Sequence, residues 1–348
     1  MQMRELNEYP QPAVLGAQGK VLAVNEKAAA LFRDLSVGTD LPEVFCVPDR
    51  NWEGSVTLEG RLYQVSATVQ EEQTLYLFQS REQQALGEGQ LDSVLYQMRA
   101  LMGDFRRELA PYAAGTREQF LPGDLEDFTR SYYRMLRLMD HMDLLRDAAA
   151  GQLTAARERL DLDRLCAAAA LECGSLLGEI GIEVTYEASD EAVYVSGDGE
   201  KLRDALLELI SNCARRCRKG GVLKVSLKKR GRWASICVTD DAAAPTAREK
   251  LGLTVRGTMP LIPGPDSGAG LGLSAAQAIM RLHGGALLVS TGEESAPSVY
   301  LALPVSERGG ESLSLRSPGP ERNAGMNPYL IALADILPGE MIREDWRE

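Results

Sequence analysis

Basic residues are in short supply in this chain: 38 Lys and Arg stand against 50 Asp and Glu in 348 residues, a formal net charge of -12 at pH 7. That deficit argues against nucleic acid or an anionic membrane as the main partner, since both attract positive charge. Long apolar runs are missing as well. No stretch approaches the roughly 20 residues needed to span a bilayer, and no secretory leader is visible, so a cytoplasmic protein without a membrane span is expected. The six cysteines include no C-x-x-C pair, which points to reduced thiols rather than a disulfide frame or zinc site. Cys213 and Cys217 share a helix face and, with no further ligand nearby, read as packing residues. Histidine is scarcer still, with His141 and His283 the only two.

What is present is ample apolar material, 45% of the residues, enough for two or three domains with a sizeable core. Composition and pattern divide the chain at 1–80, 81–150, 151–306 and 307–348. Residues 10 to 80 alternate short β-like runs (13 to 16, 20 to 24, 55 to 58, 61 to 69, 74 to 79) around the helical NEKAAALFRDL. A glycine-turn hairpin leading to Asn25 and an alanine-rich helix resembles a PAS sensor domain. No Cys or His sits where a flavin or haem attachment can be argued, so a ligandless dimerisation module is the expectation.

Residues 81 to 150 hold two helical patterns, each with one apolar stripe: Leu91, Val94, Leu95, Met98, Leu101, Met102 and Phe105, then Leu125, Phe128, Tyr132, Met135, Met139 and Met142. The connection from 110 to 123, with two prolines and two glycines, reads as the loop of an antiparallel hairpin. Two hairpins bury both stripes as a four-helix bundle, so a homodimer is the natural assembly.

In ALLELISNCARRC, Glu208, Asn212 and Arg215 fall three and four residues apart and share one helix face, opposite Leu206, Leu209, Ile210 and Cys213. An amide oxygen can ligate magnesium, a carboxylate one turn away can orient a nucleophile, and a guanidinium can meet a phosphate. Alone, such a stripe is a solvated face. Two apolar alternations follow, 222 to 227 and 234 to 239, the second ending at Asp240. Next comes DSGAGLGLS, in which Gly268, Gly270 and Gly272 permit backbone angles that let amides approach an anion, running into a helix whose dipole favours negative charge. That helix stops at His283-Gly284-Gly285.

The order of polar helix, strand ending in Asp, glycine loop and helix resembles the ATP-binding domain shared by sensor histidine kinases, gyrase-type ATPases and Hsp90-like chaperones. Its spacing is similar to the histidine kinase branch. The resemblance implies an α+β multidomain protein: a PAS-like α/β domain, a two-helix dimerisation hairpin, a Bergerat-type α/β sandwich and a tail. It implies ATP and Mg2+ as cofactors, Asn212 as the magnesium ligand, Glu208 and Arg215 as the catalytic pair, and Asp240 as the adenine reader. Gly268, Gly270, Leu271 and Gly272 would border the triphosphate.

Two departures qualify this. After the adenine-reading Asp the family shows D-x-G-x-G, whereas this chain reads Asp240-Asp241-Ala242-Ala243-Ala244-Pro245. Where positive φ is needed, alanine costs on the order of 1 kcal/mol, which weakens nucleotide binding. The family's phosphoacceptor histidine lies in a pattern like H-E-L-R-T-P, and the matching stretch here begins at Tyr96, continuing Gln97-Met98-Arg99-Ala100-Leu101. A phenol titrating near pH 10 is a poor substitute for imidazole, so ordinary histidine autophosphorylation is disfavoured. His141, flanked by Asp140 and Asp143, lacks the motif and reads as a solvated or interfacial side chain.

Two functional readings result. One is a sensor-kinase-like enzyme that passes the γ-phosphoryl of Mg-ATP to a protein side chain. The other is a pseudokinase scaffold or switch, acting by dimerisation on a response regulator or another histidine kinase. A hydrolytic ATPase with Glu208 activating water is weaker, because no Arg or Lys donor domain for the γ-phosphate is recognisable downstream. Beyond Val305 the first half of the remaining sequence, rich in Gly, Ser, Pro and charge, predicts disorder. The closing apolar cluster (Tyr329, Leu330, Ile331, Leu333, Ile336, Leu337) suits docking on the body or on a partner, a choice the sequence leaves open.

Overall fold

The first five strands are β1 (Ala13–Ala17), buried at four successive positions, β2 (Lys20–Val24), whose side chains alternate buried and exposed, β3 (Trp52–Leu58), β4 (Arg61–Gln70) and β5 (Gln73–Ser80), with helices α1 (Glu26–Leu31) and α2 (Leu41–Val44) between β2 and β3. The computed structural model describes residues 6–46, 51–58, 61–70, 72–80, 98–99, 101–105, 107, 109, 122–241, 271–290, 298–306 and 327–344. Buried Asn25 fastens the first hairpin to α1. Its Oδ1 accepts from the backbone N–H of Ala28 at 2.8 Å, capping the helix, and from Ala13 at 3.0 Å, while its Nδ2 donates to the Gln11 carbonyl at 2.9 Å. Phe32, Phe45, Trp52, Tyr63, Tyr76 and Phe78 fill the interior with edge-on and tilted ring pairs, Phe32 to Phe78 at 4.9 Å between centroids.

The following elements are β6 (Glu158–Asp161), α4 (Leu162–Gly178), β7 (Glu183–Glu187), β8 (Tyr194–Gly197), α5 (Gly199–Ala214), β9 (Val222–Arg230), β10 (Trp233–Asp240), α6 (Leu271–Leu282), β11 (Ala286–Ser290) and β12 (Val299–Pro304). Asp161 and Asp198 cap α4 and α5, the latter accepting from Lys201 N at 3.1 Å. α6 ends in a Schellman turn. Gly284 takes φ 71°, its N–H reaches Arg281 O at 3.0 Å, and Gly285 N–H reaches Met280 O at 2.8 Å. The apolar faces of α4, α5 and α6 join the sheet in one core.

The strands form one ten-stranded sheet, in the order β2-β1-β5-β4-β3-β11-β12-β10-β9-β7, antiparallel except for β7 with β9. The amino-terminal five and the later strands meet at β3 and β11, where Gly54 faces Leu288, Glu53 faces Val289 and Trp52 faces Ser290. Glycine is required there: a β-carbon at 54 would lie 2.6 Å from a Leu288 methyl and 2.8 Å from Leu287 O. Ala286, Leu288 and Ala302 complete the aromatic cluster of the first five strands. β6 and β8 make a separate pair.

Helix α3 (Pro122–Ala149) packs on α6 and reaches α5 through Arg137 and His141, and the C-terminal helices α7 (Pro328–Leu333) and α8 (Gly339–Glu344) pack against it, α7 also touching α5. Leu330, Ile331, Leu333, Leu337 and Ile342 are buried in the main core, so the closing apolar cluster docks on the body of its own chain. Two boundaries and one buried face differ from expectation. β3 starts at Trp52 rather than 55, because Gly54 is tolerated where it meets β11. α3 starts inside the expected loop, since proline is favourable in a first helical turn. α3 also buries a face beside the expected one: Thr129, Tyr133, Arg137 and Leu144 turn inward, while Met139 of the apolar stripe is 51% exposed.

Candidate functional site

The expected stripe on α5 is not solvated. Glu208 is buried, and its carboxylate accepts from Arg137 Nε at 3.0 Å, from Arg137 Nη2 at 2.7 Å and from His141 Nε2 at 2.9 Å, both partners lying on α3. Burial opposes the charge on Glu208, but Arg137 and His141 outweigh it and hold the carboxyl far below the usual carboxylate range. On Arg137 burial likewise opposes the charge, and Glu208 and Asp335 more than restore it. The other side of Glu208 touches the first turn of α6, where a β-carbon at residue 272 would overlap Oε2. Gly272 therefore lets the positive end of the α6 dipole approach an anionic group on α5. Leu271, beside it, is buried against Leu101 and Leu138.

Arg215 donates through Nη2 to Asn212 Oδ1, and its Nη1 lies 3.7 Å from Asp335. Arg134 Nε reaches Asp335 at 2.6 Å and Arg137 Nη1 reaches it at 3.3 Å. Arg137 Nη1 also donates to Ala332 O at 2.9 Å. Asp240 ends β10 with its carboxylate 1% exposed and bound by one nitrogen of Arg216, 2.9 Å from Oδ1 and 2.8 Å from Oδ2.

Glu208, Asn212, Arg215, Leu271 and Gly272 are thus brought together, and Asp240 stands beside Arg216, just past the C-terminal end of the same helix. Gly268, Gly270, Tyr96 and the three alanines after Asp241 lie outside the described residues. Arg134, Arg137 and Asp335 are the members that sequence reasoning missed. Arg137 and Asp335 are 198 residues apart, and neither stands in a motif.

His283 is structural. Its Nε2 accepts from Asp198 N–H at 2.9 Å and its Nδ1–H donates to Ile279 O at 2.7 Å, an arrangement only the neutral ring can satisfy. Burial accordingly pushes its pKa down. All six cysteines are free. Burial raises their thiols where a shift is resolved, Cys173 to about 12 and Cys217 to about 11, so they stay protonated. Among the described residues no group of three or more His, Cys, Asp or Glu is placed to hold a metal, and no helix is long and apolar enough to cross a membrane.

The donor set can be tested against Mg-ATP. The Asn212 amide oxygen is a hard donor suited to magnesium, but it now accepts from Arg215 Nη2, so that end fits once Arg215 turns from it toward a phosphate. At Asp240 an adenine amino group needs the carboxylate that Arg216 now holds, so that end fits only once Arg216 withdraws.

Residues 197–307 match the family model of histidine kinase-, DNA gyrase B- and HSP90-like ATPases. Those residues form an ATPase domain of the kind shared by histidine kinases, DNA gyrase B and HSP90. Adaptive-response sensory kinase SasA of Prochlorococcus marinus (strain MIT 9303) is 28% identical over 156 residues, 44% of this chain and 42% of that protein. SasA of Synechococcus sp. (strain CC9902) is 25% identical over the same length. The chain thus matches about two-fifths of the length of these curated relatives. Among solved structures, Acinetobacter baumannii histidine kinase AdeS covers 60% of this chain at 16% identity, with 97% of its own length matched and a TM-score of 0.49. Histidine kinase ThkA, solved with response regulator protein TrrA, covers 88% at 13% identity, with 99% of its own length matched and a TM-score of 0.46. Both likenesses are too distant to carry an argument about activity. In this ATPase domain, the polar face of α5 and the first turn of α6 are the elements that meet.

Proposed function

We propose that this chain is a sensor-kinase-like protein of two-component signalling whose ATPase domain binds Mg-ATP. Asn212 holds the metal, Arg215 meets the phosphates, Glu208 acts on transfer geometry, and Asp240 reads adenine after Arg216 swings away. The amino-terminal five strands act as a PAS-like sensor, and the 81–150 region, which includes α3, as the dimerising hairpin of a homodimer. A response regulator or another histidine kinase is the partner.

The observation that carries this reading is the meeting of α5 and α6 at Glu208 and Gly272, one helix turn from Asn212. Titration of Mg-ATP into the purified protein tests it. Saturable binding with a thermal upshift, both abolished by Asn212→Ala, is the expected result, and absence of binding refutes it.

A second reading, a pseudokinase switch, is favoured by two contacts. Glu208 is committed to Arg137 and His141, and Asp240 to Arg216. With Tyr96 in the phosphoacceptor place, binding then regulates shape without transfer. Incubation with γ-labelled ATP separates the two readings. Acid-labile label supports the kinase, whereas binding without label supports the switch.

A further inference from the structure

Three guanidinium groups from two helices converge on one carboxylate that the sequence gives no reason to expect near them. Arg134 and Arg137 come from α3 and Arg215 from the end of α5, at 2.6, 3.3 and 3.7 Å from Asp335. Asp335 follows α7, and its position is set by Leu330, Ile331, Leu333 and Leu337, all buried in the main core. The Arg137 bond to Ala332 O fixes the same turn from the backbone side. Arg215 spans the two halves, with one nitrogen on Asp335 and another on Asn212, the magnesium ligand of the reading above.

We propose that Arg134, Arg137 and Arg215 form an anion site, occupied in cis by the Asp335 carboxylate and taken over by the terminal phosphates of a nucleoside triphosphate. This rests on the nucleotide-binding reading. The chemistry is a competition between a singly charged carboxylate and a more highly charged phosphate chain for the same planar donors. The carboxylate has the advantage of attachment, because the apolar side chains of α7 hold it at the site at high effective concentration. A polyphosphate reaching Asn212 therefore finds Arg215 already engaged, and full occupancy requires the C-terminal segment to leave. α7 then becomes a displaceable plug whose release reports nucleotide occupancy.

The test uses the full chain with two probes, Mg-ATP and inorganic tripolyphosphate. Asp335→Asn removes the competing charge and is expected to tighten Mg-ATP binding about tenfold. Leu333→Ala, which loosens the segment without altering any charge, is expected to shift affinity in the same direction. In the unmodified protein, saturating Mg-ATP is expected to speed hydrogen exchange of the amides of 328–333. Unchanged or weaker affinity in Asp335→Asn, or unaltered exchange in the presence of bound Mg-ATP, overturns the proposal. If Mg-ATP does not bind at all, the nucleotide reading fails on its own. Tripolyphosphate that still releases the segment, and does so less in Arg137→Gln, then upholds the anion site; no release by tripolyphosphate overturns the site as well.

Discussion

Glu208 is the residue on which three segments depend, and its pairing has a sign that can be measured. With Glu208→Ala, Arg137 keeps its burial and loses its main counter-charge. Such a change costs about 3–5 kcal/mol, read by urea denaturation at pH 7. The same pairing makes stability depend on pH. Folding lowers the proton affinity of Glu208, so its contribution is complete above its ordinary pKa of 4.5 and is lost as the pH falls below that value. His283 acts in a higher window. Its folded pKa is lowered, so protons favour the unfolded chain as the pH drops from about 6.5, its ordinary value. Stability measured at pH 7.5 and pH 5.5 should differ in the unmodified protein, and the difference should shrink in His283→Gln. An unchanged difference in that variant would mean that other groups carry it.

Among the elements, those built on local pattern were legible and those built on distant contact were not. The period-two runs of β9 and β10 and the His283-Gly284-Gly285 stop of α6 can be read directly, because alternation and a left-handed glycine act within a few residues. The clustering of Glu208, Asn212 and Arg215 on one face of α5 followed from helical spacing. What covers that face did not, since Arg137 lies 71 residues away from Glu208 and Asp335 lies 198 from Arg137. The assignment of Asp240 to adenine likewise could not anticipate Arg216, whose place at the end of α5 only the fold brings to β10. The start of β3 was obscured by Gly54, which looks like a breaker in isolation and is needed for approach to β11. Gly54→Val should separate that strand pair, and amide exchange at 288–290 is the measurement. Retained protection there would show that the backbone shifts to accommodate the side chain.

At the scale of the molecule, α3 divides its surface between two uses. One face seals the ATPase core, and the other leaves Met139 exposed; Met102 and Leu109, upstream of α3, are exposed as well. If that face meets a second copy, Met139→Glu shifts a dimer toward monomer in sedimentation. A monomeric unmodified protein would remove the basis for the homodimer.

The β3–β11 ladder also bears on how the protein can be handled. Each half of the sheet hides the other's rim, so cleaving the chain near residue 81 and purifying the pieces separately uncovers two rows of unsatisfied amides and carbonyls. Both pieces should then be prone to precipitate or to stack edge to edge, whereas the two made together in one cell should stay in solution as a stitched pair.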